Sequence, residues 1–375
     1  MIYIKQGHEI EQLPGCFRAI RIANVSPVCY DSKAMTEIKA FDPQAARPSD
    51  FAAYLAFINR IEAETWPEDP PTELEELILE LRAIPPFVVS RRWVVWHNQE
   101  IIARGVATFW RTEDNKHLLR FDIAVLPEWR RQGLAKRLLT LIAEVAQKEH
   151  RRLLMAGTDS AIPAGEAFMK RLGARLGQVS STNQLDLALL DRGLLRQWQE
   201  RAPKTEFELG LWEGPYPEEE LDAIVKLREV MNTEPRDNLE IEDVKWTKEQ
   251  LRQIEASFAE QKTERWTMFV RERKTGNLAG YTEVFWSPFE PETLYQGDTG
   301  VFPEYRGHGL GKWLKAAMLE KVLRDRPQVK RVRTGNANSN APMLKINYEL
   351  GFRPYKAWTT WQVELEKVLE YLQAV

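Results

Sequence analysis

One stretch of this chain occurs twice, and the repetition limits what the chain can fold into. Residues 122–136 read D-I-A-V-L-P-E-W-R-R-Q-G-L-A-K, and residues 298–312 read D-T-G-V-F-P-E-Y-R-G-H-G-L-G-K. They superpose without a gap: Asp122 on Asp298, Val125 on Val301, Pro127 on Pro303, Arg130 on Arg306, Gly133 on Gly309 and Lys136 on Lys312. The offset is close to half of the 375 residues, so the repeat marks a duplicated domain and not a solenoid unit. In each copy a hydrophobic segment ends at a proline, a turn containing glycine follows, and an amphipathic run begins. That run carries Leu134, Leu138, Ile142 and Val145 in the first copy and Leu310, Leu314, Met318 and Val322 in the second. Strand, glycine turn and helix together aim backbone N–H groups at one spot beside the positive end of a helix dipole, which suits phosphate. The second turn holds Gly307, Gly309 and Gly311; the first reads Arg131-Gln132-Gly133-Leu134-Ala135. Neither copy has the G-x-x-x-x-G-K-[ST] of a P-loop or the G-x-G-x-x-G of a dinucleotide-binding turn.

The rest of the chain divides around these stretches. Residues 1–33 show no period and read as an extension. Residues 34–190 form the first unit. A strand near Met35–Phe41 precedes a helix opened by Pro48-Ser49-Asp50, with Ser49 or Asp50 as N-cap. Thr72 starts a second helix. A hairpin turns at His97–Glu100, and a closing hairpin spans Ala174–Leu190. Residues 191–205 are a linker whose composition does not decide between helix and extended chain. Residues 206–375 repeat the order, with one helix over Pro217–Val230, a second over Thr247–Ala259, and Asn340-Ala341-Pro342 capping a later one. Each unit reads as an α/β domain, a mixed central sheet with helices on both faces.

Composition sets the bounds of function. A net charge of −3 implies no general attraction to nucleic acid or membrane, so neither is expected as a partner. The cysteines, Cys16 and Cys29, frame no zinc site and no disulfide scaffold, so reduced thiols and no metal are expected. No apolar run approaches the length of a membrane span and no signal-peptide core is present, which reads as cytoplasmic. The 13 tryptophans are expected in cores and pocket walls.

The pattern Arg-x-x-Gly-x-Gly/Ala after a Val-x-Pro strand end resembles the acyl-CoA-binding motif of the GCN5-related N-acetyltransferase (GNAT) family. The element order of each unit matches that fold as well. The two-copy form is similar in architecture to the tandem members of the family, the mycothiol synthases among them, whose substrate is not carried over. The resemblance implies two tandem acyl-CoA N-acyltransferase domains, with acetyl-CoA as acyl donor. It implies that the turn Arg306, Gly307, His308, Gly309, Leu310, Gly311 and Lys312 holds the pyrophosphate, and that the strand at Thr299, Gly300 and Val301 polarises the thioester carbonyl. Gly300 suits a bulge or close ligand approach, or packing against a neighbouring tryptophan. In the first unit the matching cofactor positions are Val125, Arg130, Arg131, Gly133, Ala135 and Lys136. His308 is expected to face solvent.

Residues 332–352 resemble the family's second motif, an Asn, a Tyr seven residues on, and Gly-Phe four residues beyond. Asn340 fits the first place and Gly351-Phe352 the last, but Asn347 stands at the tyrosine place and Tyr348 is one step along. One step on a helix is about 100°, so Tyr348 points elsewhere unless the helix is deformed. Asn347 is expected to hold the thioester end of CoA, with Tyr348 or solvent as the acid. The first unit has Ile162, Met169 and Ala174 at these places and is expected to contribute little chemistry. As base, Glu283 is the first choice and Asp298 the second, because Asp122 repeats Asp298. The acidic run Glu234, Asp237, Glu240, Glu242 and Asp243 hints at a cationic acceptor. The function expected is transfer of an acetyl group to an amine of a small molecule or peptide by direct attack in a ternary complex, in a monomer or homodimer. The rival is a non-catalytic CoA-binding or regulatory protein.

Overall fold

In this computed structural model residues 36–374 are described. The expected extension, with Cys16 and Cys29, lies outside them, as does Met35. The first unit runs β1 (Glu37–Ala40), α1 (Pro48–Thr65), α2 (Leu74–Arg82), β2 (Val88–His97), β3 (Glu100–Trp110), β4 (Leu118–Val125), α3 (Leu134–Lys148), β5 (Leu153–Asp159), α4 (Pro163–Arg171) and β6 (Arg175–Asp186). The helix α5 (Arg192–Glu200) follows. The second unit runs β7 (Phe207–Glu213), α6 (Leu221–Arg228), α7 (Lys248–Glu260), β8 (Glu264–Glu272), β9 (Leu278–Trp286), β10 (Thr293–Val301), α8 (Leu310–Asp325), β11 (Arg331–Ala337), α9 (Ala341–Leu350), β12 (Arg353–Glu364) and α10 (Leu365–Gln373).

Local chemistry accounts for most boundaries. α1 begins two or three residues earlier than its polar residues suggest: Arg47 is the N-cap, Pro48 takes the first turn, and the Asp50 carboxylate reaches back to the Arg47 N–H. Glu73, not Thr72, caps α2. Thr247 and Gln250 form a reciprocal capping box on α7. The single helix expected over Pro217–Val230 is instead a 3₁₀ turn at Glu218–Glu220, the α-helix α6, and a 3₁₀ segment Glu229–Thr233. Pro235 forces Glu234 into extended backbone, which ends that segment. α9 starts at Asn340, whose side chain accepts from Met343 N–H, and stops at Gly351, where φ is 101°.

The larger correction is topological. The closing hairpin expected over Ala174–Leu190 is one strand, β6. Gly177 lacks the positive φ of a tight turn and instead leaves room for Leu239, which a Cβ would meet at 2.3 Å. β6 does not complete its own unit's sheet. It pairs with β11 and β12, while β12 pairs with β5. The result is one continuous 12-stranded sheet in the order β1-β2-β3-β4-β5-β12-β6-β11-β10-β9-β8-β7. Each unit gives its last strand to the other's half, so separating the halves breaks backbone ladders and not just side-chain contacts.

The following helices travel with the exchanged strands. α5, inside the expected linker and capped by Asp191, packs on α8, where Leu195 and Trp198 join the core around Leu314, Met318 and Val322. α10 packs on α3, where Val368 joins Leu139, Ile142 and Met169.

Candidate active site

β10 lies parallel to β11 over Thr293–Tyr295 and Arg331–Arg333 only. Beyond Tyr295 the two strands part, and a cleft opens between them. Its walls are Gly297, Asp298 and Thr299 of β10, Thr334, Gly335 and Asn336 of β11, and Met343 of α9. Lys315 of α8 also lines it, as do Met231 and Glu234 from the segment after α6. A β-bulge sits at the parting point: Gln296 pairs with Val284 and Thr299 with Thr282, so Gly297 and Asp298 together face Glu283. Bulges bend a strand and re-aim its side chains. The bulge lies before Gly300, not at it. Gly300 is required by packing: an added Cβ would meet Val230 Cγ1 at 2.6 Å and the Met231 sulfur at 3.2 Å, so the atoms nearest to it there belong to Val230 and Met231 and not to a tryptophan.

At the end of β10 the chain turns through Arg306–Lys312. Gly307 and Gly309 hold φ of 86° and 76°, the left-handed region that favours glycine. A Cβ at either would meet nothing within 4 Å, so the space above the turn is open. Gly309 is the N-cap of α8 and provides no side-chain cap; the first-turn N–H groups of a helix need an outside acceptor. These residues fit an anion such as a pyrophosphate. The Arg306 Nε donates to Val301 O at 2.9 Å and Nη2 to Thr233 Oγ1 at 2.6 Å, so this side chain ties the turn to the strand end. Lys312 pairs with Glu349 and lies over the Trp198 ring. His308 is exposed, with Nδ1 beside Tyr305 O and Arg306 O.

The two expected bases share one cation. Arg228 of α6 is buried and donates to both Glu283 oxygens at 3.2 and 3.3 Å and to Asp298 Oδ2 at 3.3 Å. Tyr281 Oη donates to the same Asp298 oxygen at 2.9 Å. Burial opposes the Arg228 charge, but Glu283, Tyr281, Tyr216 and Asp298 outweigh it and hold the guanidinium well above its ordinary value. Glu283 is fully buried and does not line the cleft, whereas Asp298 does. Sequence alone could not show this, because the partner lies on α6, far away along the chain.

Lys315 was not singled out by its sequence position, since it falls inside an amphipathic run. It is 1% exposed. Its Nζ donates to Asn347 Oδ1 at 2.8 Å, and Asn347 Nδ2 donates to Asn336 Oδ1 at 2.7 Å. Asn183 of the exchanged strand β6 donates to that same oxygen at 3.4 Å. Burial pushes the Lys315 ammonium down to about 7, against an upward pull from Glu234. Asn347 thus faces inward, at the place of the family's tyrosine. Tyr348 is 42% exposed and does not line the cleft. Asn340 is engaged in the helix cap.

Most of the acidic run is answered by the chain itself. Glu240 pairs with Arg152 and Arg175, and Asp243 with Arg236. Glu242 accepts from the Asn115 N–H, and Leu239 and Ile241 pack beside Leu118, Leu153 and Met155 of the first unit. Of this run, Glu234 lines the cleft. The first unit answers in kind: Asp69, from the α1–α2 connection, is buried against Arg333 of β11.

In the first unit, Arg131 takes the place of Gly307 at φ 65°, and Gly133 stands at φ 81°. Arg130 Nε donates to Val125 O at 3.0 Å, and its other nitrogens pair with Glu64. Lys136 Nζ donates to Ala374 O at 2.7 Å. Ala135 lies in the first turn of α3. β4 runs against β3 in unbroken register. Among the described residues no group of His, Cys, Asp and Glu is arranged to hold a metal, and no helix is long and apolar enough to cross a membrane.

The family model described as "Acetyltransferase (GNAT) family" matches residues 55–174 and again residues 227–352. Among solved structures the chain is similar to a tandem GNAT protein from the clavulanic acid biosynthesis pathway, at 28% identity and a TM-score of 0.73, covering 88% of this chain and 99% of that one. It shares its fold with a GCN5-related N-acetyltransferase from Sphaerobacter thermophilus, at 14% identity and a TM-score of 0.64, over 88% of this chain and 96% of that one. No curated protein matches it.

Proposed function

The chain belongs to the acetyltransferase (GNAT) family, as two such domains in tandem, and is an enzyme of acyl transfer; from that premise we propose that its second unit moves an acetyl group from acetyl-CoA to the amine of a small molecule or peptide by direct attack in a ternary complex. One observation carries this reading. The parting of β10 from β11 opens a polar cleft next to the uncapped glycine turn of α8. A thioester brings an acyl group activated for attack by nitrogen; the residues here bind, orient and handle protons. Gly307–Lys312 would hold the pyrophosphate through backbone N–H groups, and the strand around Thr299–Val301 would face the acyl carbonyl.

The amine must lose a proton to attack, and free amines hold theirs to a pH of about 10. We assign that proton to Glu234, which lines the cleft. The Asp298 Oδ2 is already taken up by hydrogen bonds from Arg228 and Tyr281. Glu283 holds Arg228, and through it Asp298, in place. An anionic rim at Glu234 also favours a cationic acceptor.

The test is CoA thiol release from acetyl-CoA over a panel of small amines and peptide N-termini. Release with at least one amine, matched by acetylated product, is expected; silence across the panel, in protein that still binds acetyl-CoA, overturns the reading. Within it, Glu234→Gln lowers kcat by about 10²-fold or more, while Glu283→Gln leaves the pH profile in place and lowers stability. The opposite pattern returns the base to Glu283.

A further inference from the structure

A buried ammonium is costly unless an anion faces it. Among the described residues Lys315 forms no ion pair; its Nζ donates to the Asn347 amide and lies over the Phe352 ring. That amide is oriented by Asn336, and Asn336 in turn by Asn183. A side chain placed at such expense lines the cleft between the parted strands. We propose that Lys315 is the acid of the transfer: it gives its proton to the CoA sulfur as the acyl group leaves, and Asn347 positions it. This rests on the acetyl-transfer reading above and adds to it the group that the position of Asn347 left without an assignment.

The balance is simple. The amine nitrogen bonds to the carbonyl carbon, and the C–S bond breaks with its electron pair on sulfur. One Nζ proton of the Lys315 ammonium moves to that sulfur, giving free CoA thiol. The proton lost by the amine goes to Glu234. Lys315, now neutral, takes a proton back from solvent when the cleft empties. A lysine does this near neutral pH only if its ammonium is a stronger acid than usual, and burial brings Lys315 to about 7. The titratable groups lining the cleft with it are Asp298 from β10, held by Arg228 and Tyr281, and Glu234 from the segment after α6; β11 and α9 present Thr334, Gly335, Asn336 and Met343 there.

The experiment has two arms. In the protein without substrate, ε-¹³C-lysine resonances are followed against pH. One resonance titrating near pH 7 and missing from Lys315→Met is expected, apart from that of Lys356, which burial also lowers, and from exposed lysines near pH 10; if the resonance lost in Lys315→Met titrates above pH 9, or every lysine does, the proposal falls. In the second arm, kcat is measured against pH for the parent and for Lys315→Met. The parent should lose rate on the alkaline side as Lys315 deprotonates. Lys315→Met should lose about 10²-fold in kcat, lose that alkaline limb, and keep its KM for acetyl-CoA within about threefold. If Lys315→Met does not fold, Asn347→Leu serves, because loss of the hydrogen bond to the ammonium moves the limb to lower pH. An active parent whose profile survives both changes overturns this role alone. A parent silent on every amine overturns the transfer reading and this role with it.

Discussion

The two units share a backbone frame and differ in what lines it. Both turns adopt the same pair of left-handed residues, Arg131 and Gly133 in one and Gly307 and Gly309 in the other. Both tie the arginine after the turn's 3₁₀ segment to the strand-end carbonyl, Arg130 to Val125 and Arg306 to Val301. Beneath the turns the likeness ends. Where the second unit has Lys315, Asn347 and Asn336, the first has Leu139, Met169 and Thr158, and its leucine and methionine are packed in core. Where β10 bulges, β4 runs regular. Arg130 is neutralised by Glu64, while Arg306 meets a threonine hydroxyl. The sheet and the turn are therefore not where the two units differ. A bulge and three polar side chains separate the interior of the second unit from that of the first.

The largest effect should come from forcing the two interiors to match. Leu139→Lys places an ammonium at a fully buried site with apolar neighbours. That change is expected to cost more than about 3 kcal/mol and to lower Tm by more than about 6 °C. The reverse change, Lys315→Met, should stabilise. The folded pKa of Lys315, about 7, lies below an unfolded value of about 10.4. Between those values the unfolded chain binds the extra proton, so the parent's stability rises with pH across that window, and below pH 7 the full penalty is present. The gain from Lys315→Met is then largest below pH 7, a few kcal/mol less about 1 for the hydrogen bond Asn347 loses, and it fades toward pH 10. Thermal melts at pH 6 and pH 9.5 check both. A gain that does not change with pH would mean that Lys315 is not neutralised by the fold.

Next comes one buried arginine from each unit, the partner of the strand aspartate. Arg228→Met leaves Glu283 and Asp298 facing each other without a cation, and about 3–5 kcal/mol is expected to be lost. Arg104→Met takes the cation from a single carboxylate, Asp122, and the loss should be at the lower end of that range. Denaturant midpoints separate the two. Equal losses would show that the second carboxylate adds no repulsion.

How much of this contrast could be read in the residues alone depends on distance along the chain. The turn, its helix and the cap at Asn340 are local, and short-range spacing specifies them. The duplication was legible because the two stretches align without a gap. Strand exchange was not legible: β6 and β12 carry the same alternation whichever neighbour they pair with, so nothing in Arg175–Asp186 names β11 as its partner. Lys315 stayed hidden because a lysine one residue after Leu314 reads as a helix flank. Its side chain is met by Asn347 of α9 and by Phe352, more than thirty residues further along the chain. The grip of Arg228 on Glu283 was invisible for the same reason.

The turns themselves supply the third contrast. Gly309→Val forces a β-branched residue into φ near 76° and puts methyl groups into the open space above the turn. Acetyl-CoA affinity is expected to fall by about 10²-fold or more, read by calorimetry on folded protein. Gly133→Val carries the same backbone cost in the first unit, of order 1–2 kcal/mol, but should leave most turnover. If Gly133→Val abolishes turnover while acetyl-CoA still binds the second unit, the working cleft is the first one.

The smallest effect tests the frame alone. Arg131 is a non-glycine residue at φ 65°, where Gly307 stands in the other unit. An L-residue in that region carries about 1 kcal/mol or somewhat more of strain relative to glycine. Arg131→Gly removes it but adds freedom to the unfolded chain, worth about 0.4–1 kcal/mol in the opposite direction. The Arg131 side chain is exposed, so little packing is lost. The net expectation is a gain between zero and about 1 kcal/mol, or at most about 4 °C in Tm. The informative readout is the ligand. Arg131→Gly makes the first turn Gly-Gln-Gly, close to the Gly-His-Gly of the second, yet leaves Leu139, Met169 and the regular β4 beneath it. If stoichiometry stays at one acetyl-CoA per chain, the turn alone does not make a site, and the bulge and cleft wall are required. A second equivalent bound without added turnover would show that the turn binds by itself and that chemistry resides in what lies below it.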